Sequence, residues 1–114
     1  MVERRDHPKL DAILKAASDP TRRSVLTLLA QNGPLRVTEI ASHYDLSLNA
    51  ISKHIKVLEA ASLVSRRTEW REHLIEVRME PLTEIDKWFA ELRSVWALRL
   101  DALETIFTEE TAND

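Results

Sequence analysis

The sequence predicts a mainly α-helical fold carrying one small β-hairpin, and three features support that expectation. Apolar residues recur every three or four positions in short runs, separated by Asp19-Pro20, Gly33-Pro34 and the Tyr44-Asp45-Leu46-Ser47 link. Only Leu63 to Met79 reads instead as two strands around Trp70-Arg71. From Pro81 onward a single helical stripe continues for nearly thirty residues. At 114 residues with 44% apolar content, the expectation is one domain over 1–114, small enough to lean on a partner for stability.

Composition narrows the chemistry. The chain has no cysteine, so disulfides, thiolate metal sites and thiol redox sensing are excluded together. Met1 to Pro8 holds no apolar core of a signal peptide, and no run reaches the roughly 20 apolar residues of a membrane span. The expectation is a cytoplasmic protein with no membrane association. The net charge of −3 divides unevenly: +1 over 1–46, +2 over 47–79 and −6 over 80–114. The acidic balance belongs to the last segment, which leaves the middle free to present a basic surface.

His7-Pro8 opens a first helix with Leu10, Ile13, Leu14 and Ala17 on one face. Asp19 suits the N-cap of a second helix and Pro20 its first position, where a missing N–H loses nothing. Val25, Leu26, Leu28 and Leu29 supply that helix's buried side, and it stops at Asn32-Gly33-Pro34 with Gly33 as a left-handed cap. Leu35 to Val37 is long enough only for a short edge strand. Val37, Ile40, Ala41 and Tyr44 then space a third helix of about two turns. Its cap should be weak: Glu39 is placed for a capping box, but Arg36 at the N-cap has no acceptor. In the link that follows, Asp45 tolerates left-handed geometry and Ser47 caps the fourth helix.

In that fourth helix Leu48, Ile51, Ile55 and Leu58 form an apolar stripe, while Asn49, Lys53 and Lys56 point away from it. Two short helices joined by a tight turn, the second polar on its outer face, make a helix-turn-helix whose second helix can enter a DNA major groove. The hairpin that follows reads as a wing. Pairing Glu69 with Glu72 puts Val64, Ile75 and Val77 on one face. Arg66, Arg67 and Arg71 lie on or near the wing, within reach of a phosphate backbone. The sequence order is thus α-α-α-α-β-β-α.

Asp19-Pro20-Thr21-Arg22-Arg23, then Leu35 to Ala41, then Ser47 through Ser52-Lys53-His54-Ile55-Lys56-Val57-Leu58, and finally Leu63-Val64 give a combination that resembles the ArsR/SmtB family of winged helix-turn-helix repressors. The resemblance covers nearly the whole chain, about residues 8 to 108. It implies a homodimeric, operator-binding transcriptional repressor whose fourth helix reads DNA, with the family's Ser-Lys-His-Leu segment falling on Ser52, Lys53, His54 and Ile55. The chain also departs from the family. The paired-cysteine metal motif of the third helix is replaced by Thr38-Glu39-Ile40-Ala41-Ser42-His43, and no histidine beyond His73 is available for the Asp, His and Glu site of the last helix. His7, His43, His54 and His73 show no ligand spacing, so neither a metal nor another cofactor is expected. Ser62 and Trp70 replace glycines common in the family, after the recognition helix and at the wing tip. Trp70 leaves three placements open: against the DNA backbone, folded onto the wing, or at a partner surface.

The terminal helix, about 81–108, starts with Pro81 in its first turn. It carries Leu82, Ile85, Phe89, Leu92, Trp96, Leu100, Leu103 and Phe107, widened by Trp88, Val95 and Ile106. This is more apolar surface than one helix of a small domain covers alone. A homodimer through the terminal helices, completed by Leu10 and Leu14 of the first, would bury it. The tail 109–114 is polar and expected to fray.

The function expected is therefore repression by occupancy of double-stranded operator DNA. Asn49 and Ser52 are the candidates for base edges, beside Ser47 and Ala50 at the start of the same helix. Lys53, Lys56, Arg67 and Arg71 are the candidates for phosphate, joined by Arg66 and by His54, which flanks the apolar stripe and bonds either a phosphate or a neighbouring backbone group. No glycine-rich phosphate loop, carboxylate pair or nucleophile pattern points to an enzyme. The alternative is a winged-helix interaction module that does not bind DNA, since fold does not dictate function. The sequence assigns no effector ligand.

Overall fold

A computed structural model of the protein describes residues 8–112; His7, Asn113 and Asp114 lie outside the described residues. The chain divides into two compact units, Met1–Glu84 and Ile85–Asp114. In order, the elements are α1 (Pro8–Ala17), α2 (Pro20–Asn32), β1 (Leu35–Arg36), α3 (Val37–Ala41), α4 (Leu48–Ala60), β2 (Val64–Glu69), β3 (Glu72–Val77) and α5 (Leu82–Ala112). This is a winged helix-turn-helix.

The α1–α2 junction shows what the Asp19 to Arg23 motif does. α1 closes with Ser18, whose N–H and hydroxyl both donate to the Lys15 carbonyl, at 3.2 and 2.6 Å. Asp19 then caps α2, accepting the Arg22 N–H at 2.9 Å, with Pro20 in the first helical position. The two arginines reach back: Arg22 Nε donates to the Ala16 carbonyl at 2.7 Å, and Arg23 Nη1 to the Ala17 carbonyl at 2.6 Å. Carbonyls that a helix end leaves without partners are thus satisfied by the next helix. The Arg22 backbone N–H holds the Asp19 carboxyl below its ordinary range, helped by the Arg22 and His54 charges and opposed by partial burial.

α2 ends at Gly33, whose N–H donates to the Leu29 carbonyl at 2.9 Å. Its φ of 78° fits the expected cap, but ψ of −164° takes it out of the left-handed helical well into a region essentially reserved for glycine. The short edge strand is present as β1. It pairs antiparallel with β3, so the wing belongs to a three-stranded sheet in the order β1-β3-β2.

α3 is shorter than its spacing implied. It stops at Ala41, and the chain tightens into successive bonds three residues apart, His43 N–H to the Ile40 carbonyl and Tyr44 N–H to the Ala41 carbonyl. Tyr44 therefore lies beyond the helix, and its hydroxyl donates to Ser24 Oγ at 2.9 Å, tying the turn to α2. The cap is one-sided, as the donor-only guanidinium of Arg36 requires: Glu39 Oε1 accepts from the Arg36 backbone N–H at 3.2 Å and from its Nε at 2.8 Å. Asp45 does not use left-handed geometry; among the described residues the non-glycine positive φ values belong to Ser62 and Trp70, 61° each.

The core gathers around α4 from α1, α2, α3, β2 and β3: Ile13 and Ala16, Val25 and Leu29, Ile40, then Ile51, Ile55 and Leu58, followed by Ala61, Leu63, Val64 and Ile75. Ala16 is buried where the spacing favoured Leu14, which lies at the margin of exposure. No polar side chain among the described residues is buried, so packing is apolar throughout.

α4 ends in a Schellman motif: Ser62 N–H donates to the Glu59 carbonyl at 2.9 Å and Leu63 N–H to the Leu58 carbonyl at 3.0 Å. Ser62 holds the left-handed position that glycine takes without a Cβ penalty. The wing has the expected register, Glu69 opposite Glu72 and Val64 opposite Val77. Trp70 alone of its two turn residues has positive φ, the pattern of a type II′ turn, whose first central position is normally glycine.

α5 begins one residue after Pro81 and continues to Ala112, four residues past the expected boundary and into the segment expected to fray. Its 31 residues span roughly 46 Å. From Asp86 through Glu109 every side chain is exposed, and the rings of Trp88 and Phe89 sit 5.0 Å apart. Among the described residues no helix is long and apolar enough to cross a membrane.

Two expectations follow. Ser62→Gly removes left-handed strain that outweighs glycine's added freedom in the unfolded chain, so it should stabilise the fold by about 0.5–1 kcal/mol in denaturant unfolding; a loss of stability would contradict the strain. Asp19 has a lowered folded pKa, so its contribution is complete above the unfolded value and disappears as pH falls through the folded one. Thermal melts of the wild type should therefore show an acid step below roughly pH 4 that Asp19→Asn, which keeps a capping oxygen, lacks. Parallel pH curves would rule this out.

Candidate nucleic-acid interface

α4 has two different sides because its sequence does. Ile51, Ile55 and Leu58 are completely covered, whereas Asn49, Lys53 and Lys56 are exposed. Ser47 Oγ accepts the Ala50 N–H at 3.1 Å, which starts the helix, and Ala50 and Ser52 are half-buried on its flanks. Neither Lys53 nor Lys56 has an ion-pair partner among the described residues. The outward surface of α4 is therefore a row of uncommitted donors.

Leu48 departs from the expected stripe. Spacing aligns it with Ile55, yet it is 51% exposed, as is Leu46 just before it at 43%. The stripe continues to the first turn of α4, but the core beneath does not. The sequence signal was the position of Leu48 immediately after the cap, at the helix end, where periodicity alone says nothing about cover.

His54 faces α2. Its Nδ1 lies 3.4 Å from Arg22 Nη1 and 3.9 Å from Asp19 Oδ2. A guanidinium only donates, so a neutral ring turns its Nδ1 lone pair to Arg22, whereas a protonated ring directs its charge at Asp19. Of the two roles considered for His54, the structure favours a neighbouring protein group, although the partner is a side chain and not backbone.

The wing arginines differ from one another. Arg66 shares the inner face with Ile75, its partner across the strands, and its Nε lies 2.9 Å from Glu59 Oε1 on α4. Arg67 stands on the outer face between Glu69 and Glu76, 3.3 Å from each carboxylate. Arg71, in the turn, has no ion pair among the described residues. Arg66 and Arg67 are thus engaged by carboxylates, whereas Arg71, among the described residues, is not. Trp70 is 96% exposed, so it does not fold onto the wing. Arg36 on β1 bonds Glu39 of α3 and reaches, at 3.4 Å, Glu72 beside the wing turn.

Of the other described histidines, His73 meets Thr68 across the wing at 3.3 Å and His43 is exposed, and among the described residues no group of three His, Asp or Glu side chains is placed to hold a metal ion. Of the residues expected at a dimer interface, Phe89, Leu92, Trp96, Leu100, Leu103 and Phe107 are exposed on α5, Leu14 is exposed on α1, and Leu10, Leu82 and Ile85 are half-buried.

Comparison with known proteins matches this geometry to a family. Residues 17–67, from the end of α1 into the wing, fit a helix-turn-helix domain model. The chain is 37% identical over 87 residues to the uncharacterized HTH-type transcriptional regulator YuzN of Bacillus subtilis, covering 71% of this chain and 95% of that one. It is 32% identical over 81 residues to an arsenical resistance operon repressor of Staphylococcus xylosus, covering 71% of this chain and 77% of the repressor. The crystal structure of an ArsR family transcriptional regulator superposes with a TM-score of 0.73 at 34% identity, over 82% of this chain and 97% of that one.

Proposed function

The chain belongs to the ArsR family of winged helix-turn-helix transcriptional regulators, and from that premise we propose that it is a homodimeric, cytoplasmic repressor that acts by occupying a roughly palindromic DNA operator. The observation that carries the DNA reading is the outer face of α4, where Asn49, Lys53 and Lys56 are exposed and uncommitted while the opposite face is sealed. Two copies of α4 enter successive major grooves about one helical turn apart. Asn49 and Ser52 meet base edges, since the start of the helix reaches deepest and an amide pairs bidentately with adenine. Lys53, Lys56 and Arg71 take phosphates. Arg66 and Arg67 contribute less, because each must first leave a carboxylate.

Dimerisation in this reading uses α5. Leu92, Val95, Trp96 and Phe107 are all more than half exposed, an apolar surface that water disfavours and a second copy would cover. With no cysteine anywhere in the chain, the proposed repressor cannot sense through a thiolate metal site. A second reading, an interaction module that does not bind DNA, draws on the exposed Trp70 and the carboxylates Glu69 and Glu72 beside it. A salt titration on random duplex separates the two: binding that weakens steeply with salt supports the repressor, and none even at low salt supports the module.

Asn49→Ala is expected to relax sequence preference at one operator position by about 1 to 3 kcal/mol. Arg71→Ala should instead weaken specific and random duplexes alike and reduce the salt slope by about one per site. Equal losses on both duplexes for Asn49→Ala would remove it from base reading. Leu92→Asp, on α5, should abolish operator binding by leaving the protein monomeric in sedimentation; a monomer that still bound tightly would refute the dimer requirement.

A further inference from the structure

Leu48 is the first residue of α4 and, with Leu46, one of two large apolar side chains left open at the start of the recognition helix. They are not equivalent. Ser47 is the N-cap, so Leu46 stands at N′ and Ile51 at N4, the positions of a hydrophobic staple that sets how the chain enters a helix. Leu48, at N1, has no such local task and remains 51% exposed. Helical geometry places it next to Ser52, four residues on, and one step from Asn49, so it borders the surface assigned to base edges.

We propose that Leu48 is a specificity-determining residue that packs against the C5 methyl group of a thymine beside the bases met by Asn49 and Ser52. The proposal rests on the DNA-binding reading above and goes beyond it by naming a chemical group on the DNA. In the major groove that methyl is the one apolar group that projects from a base edge; the other edges present donors, acceptors or a small C–H. A leucine set against an amino group or a carbonyl oxygen would strip its water and return no hydrogen bond, which is costly. Against a methyl it loses nothing and buries apolar surface on both sides. The contact therefore favours thymine both by attraction and by penalising the alternatives. Cytosine methylated at C5 offers the same group.

Deoxyuridine in place of thymidine tests this directly, because it keeps every hydrogen-bonding group and removes only the methyl. In an operator defined by footprinting, single replacements along one half-site should find a position where the wild type weakens about fourfold, and about tenfold or more when both half-sites are changed. Leu48→Ala should lose the same factor on the thymine operator and show no further loss with deoxyuridine at that position. Its substitution lies on an exposed helix end, and the wild-type measurement needs no variant at all. Wild-type binding indifferent to every methyl, or an equal deoxyuridine effect in Leu48→Ala, would overturn the assignment while leaving DNA binding intact. A wild type that bound no duplex would overturn both.

Discussion

The orientation of α4 is the constraint on which the rest of the molecule depends. Three of its side chains, Ile51, Ile55 and Leu58, are wholly covered, and each such burial contributes about 1.5–3 kcal/mol. Rotating the helix about its axis would expose them, so the apolar stripe alone determines which residues face outward. Two polar ties act on the same helix, one at its middle and one in its last turn. His54 meets the Arg22 and Asp19 junction that joins α1 to α2, and Glu59 meets Arg66 on β2. The wing is held in turn through β3, which pairs with β2 on one side and with β1, at the entry to α3, on the other. A change in wing position would thus be felt at both helices of the helix-turn-helix.

Much of this was legible in the sequence because it rests on local chemistry. Asp19 and Ser47 were identified as caps from side-chain type and position, and each makes the expected bond to a backbone N–H. The wing register followed from alternation, which a slip of one residue would invert. Ser62 and Trp70 were marked by the glycines they replace, and both adopt positive φ. What escaped depended on distant parts of the chain. Leu48 has the right phase to be buried, but phase does not reveal where the core ends. Tyr44 has the right phase for α3, but its hydroxyl bonds Ser24 on α2, outside the helix. β1 was expected as an edge strand, and it is one, but its partner, nearly forty residues further along the chain, has no local signal.

The wing illustrates the same limit in electrostatics. Three arginines close together suggested three phosphate contacts, and the compensating acids Glu59, Glu69 and Glu76 lie at different sequence distances from them. Exposed ion pairs of this kind are each worth little to stability. Their effect on binding is different: a phosphate must displace a carboxylate already in place, and the displaced carboxylate then faces a polyanion. Arg71 avoids that exchange because of where it sits. A two-residue turn leaves it beyond the last cross-strand pair, Glu69 and Glu72, and Arg67 and Arg36 respectively neutralise those two acids. The strained turn that carries the exposed Trp70 also presents Arg71, which has no ion pair among the described residues.

These charges explain why the proposed function needs two copies. One protomer offers Lys53, Lys56 and Arg71 as uncommitted cations, and phosphate affinity grows with the number of charges neutralised because each releases counterions. Three contacts give a grip that physiological salt largely removes; six, held at fixed spacing, multiply in their effect on the binding constant. The same doubling applies to base reading, since each half-site adds its own discrimination. The segment 80–114, at −6, would repel the duplex if it lay along it. In the proposed dimer the apolar side of α5 is covered by its copy, and the association doubles the cations offered to the grooves.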